Sequence, residues 1–168
     1  IRVESELNRG SRFAVTVYLR LQDRDVFDSS RFADLSVLAV DDDESSLESC
    51  IATLNDIGMK AEGASSGRTA VEMVRKRHEV LDDYFACIID WKMPEMNGIE
   101  TTREIRRMVG EDVPIIILSA YDWSEIEQEA REAGANAFIS KPLFRSRLIR
   151  TFSHLTGEAR DSAPECDM

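Results

Sequence analysis

Short apolar runs alternate with helix-period segments through most of the chain, and this alternation most strongly limits its fold. Four runs of three to six residues are largely apolar, at 35–40, 85–89, 113–118 and 137–139, and a weaker run covers 59–62. Between them, apolar side chains recur every three or four residues, as they do across 47–57. Runs that are apolar on both faces are typical of parallel strands covered by helices. The pattern therefore predicts a doubly wound α/β domain over residues 35–156, with a five-stranded parallel sheet and helices on both faces.

A different pattern precedes this domain. Side chains alternate between apolar and polar over residues 13–21, and more weakly over residues 1–7, with turn-forming residues at 8–11. This two-residue period predicts a β-hairpin over residues 1–21. Because a lone hairpin is marginally stable in water, its apolar face needs a further sheet or helices to cover it.

Two polar segments flank the predicted domain. Residues 22–34 break the alternation and are predicted to be a linker, and the small, acidic tail 157–168 is predicted to be disordered. The chain carries a formal charge of −11, of which −8 lies in residues 35–156. Such acidity argues against nucleic acid or an anionic membrane as a partner and favours proteins or cations.

The spacing of the cysteines and the lack of a long apolar segment indicate the cellular compartment of the chain. The three cysteines are far apart and form no C-x-x-C motif, which fits a reducing compartment. No window approaches the ~20 apolar residues of a membrane helix, and no leader peptide is evident. We therefore expect a cytoplasmic chain without direct membrane contact. Because it begins at Ile1 and not at Met, we also expect it to be a piece of a longer protein.

Polar groups stand where four of the predicted strands end. They are Asp41, Asp42 and Asp43 after the first strand, Asp90 after the third, Ser119, with Ala120 next to it, after the fourth, and Lys141 after the fifth. Because the carboxyl ends of parallel strands lie at one edge, we expect these groups to converge. Carboxylates gathered in this way repel one another unless a hard cation such as Mg²⁺ or Mn²⁺ neutralises them. Beside such a cation, Asp90 could attack phosphorus as a nucleophile.

Four stretches, taken in order, resemble a response-regulator receiver domain: VLAVDDDESS, CIIDWKMPEMNGIE, IIILSA and AFISKPL. They are spread over nearly the whole of residues 35–156. The resemblance implies a flavodoxin-like fold with strand order 2-1-3-4-5, counted within the domain. It also implies a two-component phosphorelay, in which a histidine phosphotransfer protein or the kinase's own phosphohistidine domain supplies a phosphoryl group.

The resemblance assigns roles around the acceptor. It makes Asp90 the phosphoacceptor and implies a Mg²⁺ or Mn²⁺ site formed by Asp41, Asp42, Asp90 and the backbone carbonyl of Lys92. Lys92 and Tyr121 lie two residues beyond the acceptor and the switch hydroxyl, where family members tune hydrolysis.

The resemblance also implies a conformational switch. Ser119, Ala120 and Lys141 bind the phosphoryl group, and Phe138 is the aromatic residue whose rotamer follows phosphorylation. An acyl phosphate on Asp90 adds negative charge and acceptor oxygens, which Ser119 and Lys141 reach only by moving their loops. The face formed by the fourth helix, fifth strand and fifth helix then changes. Homodimerisation through this face is left open.

The first 21 residues resemble the closing hairpin of a histidine-kinase ATP-binding domain, in which Gly-Ser precedes an F-x-V-x-V strand. A hairpin, a linker and a receiver follow one another in hybrid sensor kinases, whose sensor parts can be membrane-anchored. A generic surface hairpin has the same pattern, so that alternative stays open. The nucleotide-binding boxes are absent from this chain, so we expect it to bind no ATP and to catalyse only its own phosphorylation and dephosphorylation.

Two other functions compete with the phosphoacceptor. One is a pseudo-receiver that only docks, although a docking module has no need of mutually repelling carboxylates. The other is a phosphatase with an Asp nucleophile, but such enzymes carry a second Asp as general acid where this chain has Lys92. For the phosphoacceptor, we expect partner docking near Glu44 to Cys50, on the first helix.

Overall fold

A computed structural model describes residues 1–6, 10–17, 32–120 and 127–156. The strands are β1 (Arg2–Glu6), β2 (Gly10–Ala14), β3 (Ser36–Val40), β4 (Lys60–Ala64), β5 (Ala86–Asp90), β6 (Ile115–Ser119) and β7 (Ala137–Ser140). The helices are α1 (Glu44–Asp56), α2 (Gly67–Glu79), α3 (Gly98–Val109), α4 (Glu127–Glu132) and α5 (Arg145–Leu155). None of these helices combines the length and the apolar character that crossing a membrane requires.

Strands β3 to β7 form one parallel sheet in the order β4-β3-β5-β6-β7. This order confirms the predicted 2-1-3-4-5 arrangement. Alternate residues of the inner strands face two separate cores: Ile89 packs with α2, α3 and α4, whereas Ile88 packs with α1 and α5. Both faces of the inner strands are therefore buried, which explains why their sequences are apolar without interruption. Burying each such side chain stabilises the fold by about 1.5–3 kcal/mol.

The packed core begins before the first strand of this sheet. Phe32 is 2% exposed, and its ring centroid lies 6.3 Å from that of Phe85 and 5.8 Å from that of Phe152. Asp34 also donates its backbone N–H to the carbonyl of Gly58 at 2.9 Å. The end of the segment predicted as a linker thus packs on the domain, while residues 22–31 and the tail 157–168 lie outside the described residues.

The N-terminal hairpin is confirmed, with β1 and β2 antiparallel. Its second strand was predicted over residues 13–21, but it runs from Gly10 to Ala14. The register pairs Ala14 with Arg2; of the residues that follow, 15–17 form no strand, and 18–21 lie outside the described residues. Val3 and Phe13 face each other across the hairpin and are 53% and 70% exposed. The hairpin's apolar side chains are therefore largely uncovered, as the sequence led us to expect.

Leu81 follows α2 in a strained conformation that makes a testable prediction. Its φ is +57°, in the left-handed region, and its backbone N–H is bonded to the carbonyl of His78 at 3.1 Å. Glycine is the usual residue at such a helix end because it has no Cβ to clash there. We therefore expect Leu81→Gly to raise the free energy of unfolding by about 1 kcal/mol in urea titrations. Val80→Gly, which removes a neighbouring exposed side chain at negative φ, should give no gain; an equal gain would contradict the explanation.

Candidate functional site

The carboxyl edge of the parallel sheet gathers the predicted site residues. Asp41 follows β3, Asp90 ends β5 and Lys141 follows β7. Asp41 and Asp90 are 4% and 6% exposed, whereas Asp42 is exposed to solvent. One carboxylate oxygen from each of Asp41, Asp42 and Asp90 lies within 4.8 Å of the others. The structure thus brings together the three carboxylates that the sequence singled out.

Lys141 joins the two buried carboxylates. Its Nζ lies 2.6 Å from Asp41 Oδ2 and 2.7 Å from Asp90 Oδ1. Its backbone N–H donates to the carbonyl of Ser119 at 2.8 Å, which ties the start of the β7–α5 connection to the end of β6. The ammonium is therefore held between two strand ends by both its backbone and its side chain.

Backbone donors fix the remaining oxygens of the two buried carboxylates. The N–H of Asp43 donates to Asp41 Oδ1 at 3.0 Å, and the N–H of Lys92 donates to Asp90 Oδ2 at 3.1 Å. Every carboxylate oxygen of Asp41 and Asp90 thus has a partner, as buried charges require. The orientation of both groups is set before any ligand arrives.

Burial and charge shift the pKa values in the site. Burial raises the pKa of the Asp90 carboxyl above its ordinary value, although the bond from Lys141 acts in the opposite direction. Burial alone would lower the pKa of Lys141, but its hydrogen bonds to Asp41 and Asp90 outweigh that effect and raise the pKa. The site therefore favours the charged form of Lys141 and disfavours the charged form of Asp90.

The donor set matches a hard divalent cation. Three carboxylates and one ammonium leave a net charge of −2, and the oxygen ligands are of the kind that Mg²⁺ and Mn²⁺ prefer. Asp42 is exposed, so an ion can reach the cluster from solvent.

Gly98 lets the first turn of α3 approach the acceptor strand. Its N–H donates to the carbonyl of Trp91 at 2.9 Å, which closes the connection between β5 and α3. A Cβ on this residue would stand 2.5 Å from the carbonyl oxygen of Asp90 and 2.9 Å from Trp91 Cα. Asn97 and Glu100 form a capping box that begins the helix at this point. The connection that carries Lys92 is therefore fixed at both ends.

The residues assigned to the switch lie on the neighbouring strands. Ser119 ends β6 and is buried, and Ala120 after it is exposed. Phe138 on β7 is half-buried and pairs in register with Ile117, two residues before Ser119. Tyr121 lies outside the described residues.

A groove lies beside the acidic cluster, and the sequence analysis singled out residues on only one of its two walls. A cavity of about 480 Å³ separates the start of α1 from the β7–α5 connection. One wall contains Ser45, Ser49 and Cys50, within the segment where docking is expected, while Pro142 and Leu143 form the other. The sequence analysis did not single out this second wall. The position of Pro142 and Leu143 directly after Lys141, at the carboxyl edge, is the signal that could have identified it.

Comparison with known proteins agrees with this geometry. The family model described as "Response regulator receiver domain" matches residues 37–153. The chain is 28% identical over 161 residues to "Probable histidine kinase 6" of rice, in a match that covers 84% of the chain but only 16% of that kinase. The chain thus spans a small part of this relative's length.

Two solved receiver domains superpose closely. The receiver of the histidine kinase CKI1 from Arabidopsis thaliana, complexed with Mg²⁺ and BeF₃⁻, has a TM-score of 0.69 and 31% identity, covering 77% of this chain and 95% of that one. The receiver of the sensor histidine kinase PA1611 from Pseudomonas aeruginosa, with magnesium in its active site cleft, has a TM-score of 0.64 and 29% identity, covering 74% and 99%. The family match, the fold and the acidic edge together identify the chain as a member of the response-regulator receiver family of two-component signalling.

Proposed function

We propose that Asp90 accepts a phosphoryl group from a phosphohistidine. The observation that carries the proposal is the arrangement at the carboxyl edge, where Lys141 bridges Asp90 and Asp41 and a third carboxylate, from Asp42, stands within 4.8 Å. In the transfer, an Asp90 oxygen bonds to phosphorus while the bond from phosphorus to the imidazole nitrogen breaks. The nitrogen keeps the electron pair and takes a proton.

The acidic cluster would hold the cation that this transfer needs. Asp41, Asp42, Asp90 and the backbone carbonyl of Lys92 are the proposed ligands of Mg²⁺, and Mn²⁺ suits the same oxygen donors. When bound, the ion supplies positive charge that offsets the repulsion between the carboxylates and the incoming phosphoryl group. The net charge of −2 among the described site residues supports a divalent ion.

Lys141 and Ser119 would bind the transferred group. Once Asp90 is phosphorylated, Lys141 can exchange its bond to that carboxylate for one to a phosphoryl oxygen. The Ser119 hydroxyl and the backbone N–H of Ala120 would reach the group only if the end of β6 moves. Phe138 would then turn inward and alter the face formed by α4, β7 and α5. Lys92 and Tyr121 would set the access of hydrolytic water.

The groove between α1 and the β7–α5 connection would receive the phosphohistidine partner. It opens beside Asp41 and Lys141, so a phosphoimidazole carried on a helix seated there could reach Asp90. The partner is proposed to be a histidine phosphotransfer protein or the phosphohistidine domain of the parent kinase. The apolar wall at Pro142 and Leu143 offers a contact that charge alone does not supply.

The hairpin is proposed to be the end of a kinase ATP-binding domain. The exposed apolar side chains of Val3 and Phe13 are those that a larger sheet would cover. This proposal makes the chain part of a hybrid histidine kinase.

We expect Asp90→Asn to abolish Mg²⁺-dependent phosphorylation. Incubation with Mg²⁺ and acetyl phosphate, followed by intact-mass measurement, should show one added phosphoryl group on the wild type and none on the variant. Because burial raises the pKa of Asp90, its charged form is less stable in the folded than in the unfolded state at neutral pH. The neutral variant should therefore be at least as stable in urea, which controls for misfolding.

Three outcomes distinguish the alternatives. A phosphoryl group that survives in Asp90→Asn overturns the assignment of the acceptor. No phosphorylation of the wild type favours a docking module. Rapid release of many equivalents of phosphate from acetyl phosphate favours a phosphatase.

A further inference from the structure

The guanidinium of Arg131 on α4 lies over the ring of Phe138 on β7. Its Cζ is 5.2 Å from the ring centroid, within the ≈6 Å range of cation–π contacts. The ring is half-buried and also packs against the core formed with α2, α3 and α4. Phe138 therefore contacts the core on one side of its ring and the guanidinium of Arg131 on another.

Arg131 is itself held in place. Glu127, one helical turn earlier, accepts from Arg131 Nε at 2.9 Å, and its Oε1 lies 2.8 Å from Nη2. Both guanidinium contacts use a single carboxylate oxygen, and the planar group keeps its face available for the ring. A second link, from Arg103 on α3 to Glu129 at 3.0 Å, fastens α4 to the body of the domain. The position of the cation therefore depends on α4, and that of the ring on β7.

We propose that Arg131 is a positioning residue that holds Phe138 in its unphosphorylated rotamer. The proposal rests on the proposed function, in which phosphorylation of Asp90 turns this ring inward. The proposal requires that an inward turn carries the ring away from the guanidinium, so that the contact seen here stabilises only one of the two states. A contact with this preference shifts the equilibrium between them.

The size of the effect follows from the type of contact. An exposed cation–π pair changes an equilibrium by roughly two- to fivefold. Removing the guanidinium should thus raise the ratio of inward to outward ring by about that factor before any phosphorylation. Because phosphorylation and the inward state favour each other, the equilibrium constant for phosphorylation should rise by up to the same factor.

Fluorine NMR of the whole chain tests the proposal. The chain contains seven phenylalanines, so uniform 4-fluorophenylalanine labelling gives few signals, and the spectrum of Phe138→Leu identifies the one required. Wild type with and without acetyl phosphate and Mg²⁺ defines the two end positions. We expect the signal of unphosphorylated Arg131→Met to move towards the phosphorylated position. Arg131→Lys, which keeps a cation over the ring, should move less.

The matched control is Arg103→Met, which also removes an arginine ion pair with α4 but, among the described contacts, none to Phe138. The proposal is overturned if Arg131→Met leaves the signal at the wild-type position, or moves it no further than Arg103→Met. It is also overturned if wild type gains a phosphoryl group by mass while its Phe138 signal stays in place. Failure of the proposed phosphotransfer has a separate readout, because the wild type would then show no added mass after incubation with acetyl phosphate.

Discussion

Replacing Lys141 with Met should lower the free energy of unfolding by about 3 kcal/mol in metal-free buffer. The side chains of Asp41 and Asp90 are only 5% and 9% exposed, and both carboxylates bond to this one ammonium. Met keeps most of the packing volume but leaves two buried negative charges without a counter-charge. Urea titration in the presence of EDTA measures the loss.

Magnesium should restore much of that stability. A divalent ion at the same carboxylates replaces the missing positive charge, and the variant should bind it more tightly than the wild type does, because no ammonium competes. Lys92→Met, which removes an exposed lysine from the next connection, serves as the control and should change stability by less than about 0.5 kcal/mol. Equal stability of Lys141→Met and wild type in EDTA would contradict the role given to this pairing.

Gly98→Ala should lower the free energy of unfolding by about 2–3 kcal/mol and weaken Mg²⁺ binding at the same time. The added Cβ would meet backbone atoms of Asp90 and Trp91, which cannot move aside as a flexible side chain can. Relief of the clash requires the start of α3 or the end of β5 to shift, and the latter carries the acceptor carboxylate. Quenching of tryptophan fluorescence by added Mg²⁺ measures the affinity.

Gly63→Ala provides the matched comparison for Gly98. Its Cβ would also be close to other atoms, 2.9 Å from Ile51 Cδ1, but these are the ends of flexible side chains. We expect a loss below about 1 kcal/mol and no change in Mg²⁺ affinity. If the two variants lose stability equally and both bind Mg²⁺ like the wild type, close backbone approach is not what Gly98 supplies.

The sheet could be predicted because its inner strands are buried on both faces. A residue such as Ile88 must be apolar for one core and its neighbour Ile89 for the other, so the pattern survives in the sequence. The position of the site at the carboxyl edge could also be predicted, because Asp41, Asp90 and Lys141 each lie where an apolar run ends. The second strand of the hairpin was less well predicted, because alternation over residues 13–21 does not indicate where pairing with the first strand ends.

Contacts between distant segments could not be predicted in this way. Lys141 and Asp41 are 100 residues apart, and only the folded sheet sets their 2.6 Å separation. The burial of Phe32 between the rings of Phe85 and Phe152 likewise depends on three separate segments. The contact between Arg131 and Phe138 joins a short helix to an edge strand, and neither residue type predicts the other.

The sequence by itself determined the fold class and the chemical types at the carboxyl edge, because local periodicity and chain order are enough to place strand ends in a parallel sheet. The tertiary structure decided which of those groups meet. It paired Lys141 with both buried carboxylates, brought Gly98 against the backbone of Asp90 and Trp91, and placed Arg131 over Phe138. These features depend on distances of a few ångströms between remote segments, which arise only when packing fixes how strands and helices lie against one another.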